Sequence, residues 1–440
     1  METNQTIRTD AKSLAAYKNA CRLIPGGVGS PLHGAPKPGE APIFIARGQG
    51  AVLTDLDGNE YIDYTCSRGS LILGHSDERV VVAIDKAASK GSSFGAPTES
   101  EVKLAELIVG RLESVDLVRL TESATEATAY AIRLARGFTN RDRIVRFQGC
   151  RHGLVDSLLG GTMHGADAET VLRASGVPAG VTADTLVLPY NDLGEIEKLL
   201  TDQGASIAAV LVEPLATGMG LIPPIDGYLT TLRELCDTHG SLLIFDETVT
   251  GFRVGPGGAA AYYGADPDLT ILGSIIGGGL PLGALGGRRE IMNHTPPMEE
   301  RSSESDTVNV SPLAIAAGVA SLQATAEEGF YSDLDQKAAR LDEGLRAAAA
   351  ATGVRTYHTR VGSVLGMYFT NKIVMDRAST QASAVDRFDD HRNAMLDRGV
   401  FLAPSWCECL FVSGAHAEQQ IDKTIEAAHE SLRLVAGNTG

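Results

Sequence analysis

Two stretches decide how this chain folds: SLLIFDETVTGFRV (241–254) and LTILGSIIGGGLPLGALGG (269–287). SLLIFDE and LTILG are short apolar runs, each closed by an acid or a glycine. Runs apolar on both faces belong inside a parallel sheet with helices on either side. Outward from this pair the texture repeats. VDLVRLT (115–121), RIVRFQG (143–149) and SIAAVLVEP (206–214) read as further strands, while TEATAYAIRLARGF (125–138) and YLTTLRELCDTHG (228–240) have the periodicity of amphipathic helices. The alternation predicts an α/β chain whose large domain is a mostly parallel sheet flanked by helices. After the polar stretch 293–310 the pattern changes. Helices expected over 311–325, 329–351, 378–398 and 415–436 flank the strand-like GSVLGMYFT (362–370), which suggests a smaller α+β domain. The division expected is an N-terminal segment (1–70) packing with the small domain, a large domain (71–315) and a small domain (316–440). Residues 160–180 read as a long surface loop.

Composition narrows the function. The formal net charge of −17 argues against nucleic-acid binding, which needs basic surface. No apolar run approaches membrane-spanning length, and the first twenty residues carry no apolar signal core. Six cysteines are too few for a disulfide framework in a chain of 440 residues, and the CxC pair Cys407/Cys409 has no companion ligands, so no metal is expected. A cytoplasmic protein fits these features.

Glycines 277–279 and Pro281 follow a single polar residue, Ser274, and glycine-rich backbone of this kind admits close approach of a bound group. The order of segments is informative here: IPGGVGSP (24–31), DLDGNEYIDY (55–64), LILGH (71–75), TEATAYAIRLARGFTNRDRIV, VEP, LLIFDETVTGFRV, IIGGGLPLGALGGRREIM and FLAPS (401–405). This series resembles the class III aminotransferases, and among them the glutamate-1-semialdehyde 2,1-aminomutases, over roughly residues 20–435. The resemblance implies the type I pyridoxal-phosphate (PLP) fold and a homodimer with sites at the subunit interface. It also implies a lysine, before IIGGGLP, that holds PLP as a Schiff base. Here that residue is Ser274, and none of the ten lysines lies between Lys198 and Lys337. A serine hydroxyl forms no such imine and is a poor base at neutral pH.

Other positions implied by the resemblance also depart. The phosphate cup is Ser123-Ala124-Thr125 where the family reads Ser-Gly-Thr, and it is preceded by Glu122 in place of asparagine. Arg151 stands where an aromatic residue stacks on the cofactor, Arg68 where tryptophan is common, and Gly218 where a polar side chain covers the ring. In GSPLHGA (29–35), Ser30 belongs to the substrate region and His33 replaces an arginine. Asp246, matching the partner of the pyridine nitrogen, is kept, as are Thr307, His152 and Glu408.

Two guanidiniums in a former aromatic site suggest a small anionic substrate. The altered set points first to acid/base chemistry without covalent PLP, with Ser274, His152, Glu408 and His33 as catalytic candidates. Arg68, Arg151, Ser30 and Glu122 would then bind substrate. A second expectation is pyridoxamine phosphate (PMP) or PLP held noncovalently by Ser123, Ala124, Thr125, Asp246 and Thr307. A third is a non-catalytic dimeric binder. Each residue also has a plainer role: Asp246 as an organiser of the strand end, His152 as a loop support, the cysteines as small buried apolar groups.

Overall fold

In the computed structural model the strand Leu242–Glu247 sits inside a nine-stranded sheet. The structure describes residues 9–30, 33, 41–163, 171–172, 174–294 and 309–437. Across the sheet the strands run Leu117–Thr121, Gly283–Gly287, Leu269–Leu272, Leu242–Glu247, Ile207–Val212, Arg143–Phe147, Thr185–Leu188, Gly161–Met163 and Val171–Leu172. The block from Leu269–Leu272 to Gly161–Met163 is parallel throughout. Both margins are antiparallel. Every residue of Ile207–Val212 and of Leu242–Glu247 is buried, as the uninterrupted apolar runs require. The helices Ala124–Thr139 and Tyr228–His239 follow the expected periodicity, the second ending at Gly240 with φ of 66°.

Three expectations are corrected. The strand Gly283–Gly287 was not anticipated, because glycine is depleted in strands. Its glycines are needed for contact: a side chain at Gly283 would strike the Ser123 carbonyl and the Ala124 amide, and one at Gly287 the Asp268 carbonyl. The segment 160–180 is not all loop, since Gly161–Met163 and Val171–Leu172 pair at the sheet edge. The helix expected over 378–398 is two pieces, Arg377–Thr380 and Val385–Leu396. Between them Ser383 Oγ accepts from the Phe369 amide at 3.0 Å and Ala384 N–H donates to the Phe369 carbonyl, tying the break to the small-domain hairpin.

That hairpin, Tyr357–Val361 with Val364–Tyr368, packs under Phe330–Thr352 and is joined by Leu410–Phe411. The N-terminal strands Ile45–Gln49, Val52–Asp55 and Glu60–Asp63 form a separate sheet that takes Val400–Phe401 as its fourth member. The N-terminal segment and the C-terminal part of the chain therefore share a sheet. The turn Ser274–Gly277 follows Leu269–Leu272 and is covered by the helix Pro312–Ala324, where Gly318 lets the helix lie directly on the Ile276 carbonyl.

Candidate active site

The parallel strands deliver several polar residues to one end of the sheet. Asp246 is the penultimate residue of Leu242–Glu247, Glu213 directly follows Ile207–Val212, His152 lies just beyond Arg143–Phe147, and Ser274 just beyond Leu269–Leu272. All are at carboxyl ends of neighbouring strands, the place where open α/β sheets bind ligands.

Asp246 and His152 are each 4% exposed and meet at 2.8 Å, Oδ2 to Nδ1. The other carboxylate oxygen of Asp246 accepts from Thr248, at 3.1 Å from the amide and 2.5 Å from the hydroxyl. A carboxylate accepts only, so we assign the shared proton to Nδ1, which leaves Nε2 as the free nitrogen of His152. Nε2 is buried without a hydrogen-bond partner among the described residues. Glu213, also buried, accepts from the Arg151 amide at 2.5 Å and from the Thr217 amide and hydroxyl at 2.8 and 2.7 Å. Burial, and then the charge of Asp246, raise its carboxyl above the usual range. The strand ends thus hold two acids and an imidazole in a largely dry setting.

Ser123 caps the helix Ala124–Thr139, its hydroxyl accepting from Glu126 N–H at 3.3 Å. Thr125 Oγ1 accepts from the Leu154 amide at 3.4 Å. The helix start is an anion-attracting end, yet Glu122 stands exposed immediately before it, accepting from the Asn309 amide at 3.2 Å. Ala124 is the first helical residue. Thr307 lies outside the described residues.

The loop Cys66–Gly69 has four successive positive φ values, 45°, 51°, 59° and 87°. Left-handed backbone costs each non-glycine residue about 1–2 kcal/mol, and such strain clusters at functional sites. Asp63 holds the loop: one carboxylate oxygen accepts from the Thr65 amide and hydroxyl at 2.7 and 2.6 Å, the other from the Cys66 amide at 3.1 Å and meets His75 Nε2 at 2.8 Å. Arg68 projects from the loop, its side chain about half exposed and 3.5 Å from Glu408. Arg68, Glu408 and His33 share the lining of a cavity of about 790 Å³ between the N-terminal segment and the small domain. Ser30 lies beside it in the chain, its carbonyl accepting from the His33 amide at 2.9 Å.

Arg151 is exposed over much of its length, but one guanidinium nitrogen reaches Cys407 Sγ at 3.6 Å. Its stem crosses Gly218, where an added Cβ would come within 2.7 Å of Arg151 Cγ. The Gly149 carbonyl, closer still to the same position, excludes a side chain at 218 in this backbone conformation as well. Cys66 and Cys409 are buried against backbone carbonyls, Phe411 at 3.3 Å and Gly220 at 3.2 Å, and serve as packing.

The candidates therefore fall into three groups. His152 and Asp246 meet at the strand ends with Arg151 beside them, while His33, Arg68 and Glu408 face the cavity. Glu122, Ser123, Ala124 and Thr125 form the helix end. Glu213 and Asp63 were not singled out from the sequence. An acid directly after a fully apolar strand, as in IAAVLVEP, was the available signal for Glu213.

The family model for aminotransferase class III matches residues 34–427. The chain belongs to the class III aminotransferase family. A glutamate-1-semialdehyde 2,1-aminomutase of Pelotomaculum thermopropionicum is 47% identical over 423 residues, covering 96% of this chain and 97% of that protein. An omega-transaminase from Sphaerobacter thermophilus superposes with a TM-score of 0.89 at 31% identity, over 96% of this chain and 97% of that one. A lysine-to-alanine variant of a glutamate-1-semialdehyde aminomutase from Pseudomonas aeruginosa, in complex with PMP, gives 0.87 at 28% identity, over 96% and 94%. These likenesses establish the type I PLP-transferase fold, with its large α/β domain and smaller α+β domain, and an aminotransferase-type enzyme scaffold. Among the described residues no helix is long and apolar enough to cross a membrane, and no group of three or more His, Cys, Asp or Glu side chains is placed to hold a metal ion.

Proposed function

We propose that this class III aminotransferase holds PMP or PLP without a covalent bond and acts on a small amino or keto acid in specialised biosynthesis. The observation that carries the reading is the buried Asp246–His152 pair, kept at the strand end although Ser274 supplies no amine. Asp246 retains acceptor capacity beyond its bonds to His152 and Thr248, which suits a protonated pyridine nitrogen. A pair of this burial has a clear use when a ring nitrogen sits against it. The Pseudomonas variant supports the same reading, since that protein, with one lysine replaced by alanine, is in complex with PMP.

The residues present fit the group at one end and resist it at the other. Amides at the start of Ala124–Thr139, with the Ser123 and Thr125 hydroxyls, would take the phosphate. Glu122 would repel it, so binding is expected to be weaker than with a neutral residue there. When bound, the cofactor supplies an electron sink for amino-group transfer. The chain's own residues do the rest. Asp246 holds a positive charge at the ring nitrogen, His152 and Thr248 fix the carboxylate's orientation, and Arg68 and Arg151 pair with substrate carboxylates. Ser274 offers a hydroxyl that can donate or accept a hydrogen bond, not an amine. We extend the proposal to a homodimer in which Thr307 completes the partner's phosphate site, to be checked by light scattering.

Glu122 favours a second reading, in which the cleft binds no phosphate and Ser274, His152, Glu408 and His33 perform acid/base chemistry on an anionic substrate. Absorbance titration of the purified protein with PMP and PLP separates the two. Saturable spectral change supports the first reading, and its absence for both compounds supports the second.

A further inference from the structure

Arg253 is fully buried, and among the described residues no carboxylate pairs with its guanidinium. Burial lowers its pKa to about 10, so the group is still charged at neutral pH. A lone buried charge is unfavourable, and a methionine would fill the same space without that penalty. The use made of its donors accounts for it. One terminal nitrogen donates to the Gly69 carbonyl and the other to the Val412 carbonyl at 3.0 Å. The guanidinium lies over the Phe411 ring, 5.6 Å from its centroid.

Those two carbonyls belong to the two segments that carry the ion pair of the cavity. Gly69 directly follows Arg68 and closes the left-handed loop. Val412 directly follows the strand Leu410–Phe411, and Glu408 precedes that strand in the same segment. Phe411 closes the joint between them. Its amide donates to the Tyr64 carbonyl at 2.8 Å, and its ring lies against Gly69, where an added Cβ would come within 2.7 Å. Asp63 holds the other end of the loop through the Thr65 and Cys66 amides. Backbone strain aims Arg253 as well: Phe252 has φ of 57°, rare for a bulky residue, and its carbonyl accepts from the Tyr331 hydroxyl at 2.8 Å. Two strained stretches, remote in sequence, therefore meet at one buried guanidinium.

We propose that Arg253 is a positioning residue for substrate recognition: by holding the Gly69 and Val412 carbonyls it fixes the spacing of Arg68 and Glu408, and with it the direction in which Arg68 meets a substrate carboxylate. This rests on the reading of Arg68 as a carboxylate partner. Arg253 itself does not line the cavity and acts through the loop. Its removal frees Arg68 from Glu408 and leaves the cofactor end of the cleft as it was.

The test uses the full-length protein with Arg253→Met, similar in length and uncharged, and Arg253→Lys, which keeps the charge and a donor. Limiting phenylglyoxal is applied at fixed pH, and each arginine is followed by peptide mass mapping. Arg340, comparably exposed and paired with Asp422 at 2.8 Å, is the internal standard. Arg68 in Arg253→Met should react about two- to fivefold faster than in the unaltered chain, the range of one half-exposed ion pair, with Arg340 unchanged. Arg253→Lys should bring the rate back towards that of the unaltered chain. Glu408→Gln, which breaks the pair directly, should raise the rate similarly, and adding Arg253→Met to it should raise it no further. Arg253→Gln, whose amide can reach one of the two carbonyls, takes the place of the methionine variant if that variant does not fold. An unchanged Arg68 rate in the folded variant, equal acceleration of Arg68 and Arg340, or multiplying effects of the two substitutions overturns the proposal. So does a loss of PMP affinity in Arg253→Met, which would make Arg253 a general support of the fold. Absence of PMP binding by the unaltered chain overturns the cofactor reading instead, and the labelling comparison still decides this one.

Discussion

The two ends of the cleft have fared differently. At the strand ends, Asp246 is hydrogen-bonded to buried His152 and half-buried Thr248 beside a fully buried central strand. At the helix end, Glu122 and Ala124 stand at an exposed helix start. Removing one member of the first set strands a buried acid or imidazole, which costs about 1–3 kcal/mol or more. Changing Glu122 or Ala124 strands nothing, because water solvates what remains. The difference teaches that the interior end is held by its own packing while the surface end is free to follow the ligand.

Two measurements probe this contrast, and a wider effect of buried polar groups sets the pH at which they are made. His391 and His416 lie outside both ends and are buried neutral in the small domain, their folded pKa values lowered to about 4 by burial. A histidine with a folded value below its unfolded one of about 6.5 contributes its full stability above 6.5. That contribution is lost as pH falls through 6.5 towards 4. Urea unfolding monitored between pH 7 and 4.5 should show a decline of a few kcal/mol, on the order of one pKa unit or more per histidine. His391→Gln, whose amide nitrogen can keep a hydrogen bond to the Ser431 hydroxyl, should flatten the decline. Cofactor binding at the two ends is best compared above pH 6.5.

His152→Ala should weaken PMP binding by roughly 1–3 kcal/mol, about 5- to 150-fold, because Asp246 loses the partner that orients it. An unchanged affinity by calorimetry would mean that the pair supports the loop only. Glu122→Asn should act in the opposite direction, tightening PMP by about 1 kcal/mol, the scale of one solvent-exposed charge pair. Pyridoxamine, which has no phosphate, should bind equally to both proteins. If pyridoxamine gained as much as PMP, the charge argument at the helix end would fail.

Much of the fold was legible in the chain, for identifiable reasons. SLLIFDE and SIAAVLVEP are too apolar for any place but the centre of a sheet, and TEATAYAIRLARGF has one apolar face. Gly283–Gly287 was not legible, since its glycines answer to Ser123, Ala124 and Asp268, residues remote in sequence. The break at 381–384 was hidden similarly, being set by hydrogen bonds to Phe369. Within the site, Asp246 and His152 could be named separately, but their contact spans 94 positions and needs the folded sheet. Gly218 was not legible either, since what closes its space is the Gly149 carbonyl and the stem of Arg151, both remote in sequence.

The most direct test of the central claim is a calorimetric titration of PMP into the purified protein and into Asp246→Asn, side by side at pH 7.5. The account predicts saturable binding to the unaltered chain and a loss of roughly 1.5–3 kcal/mol, about 10- to 150-fold, in the variant, with both proteins folded. No saturable binding to the unaltered protein, or equal affinity in the two, would contradict it.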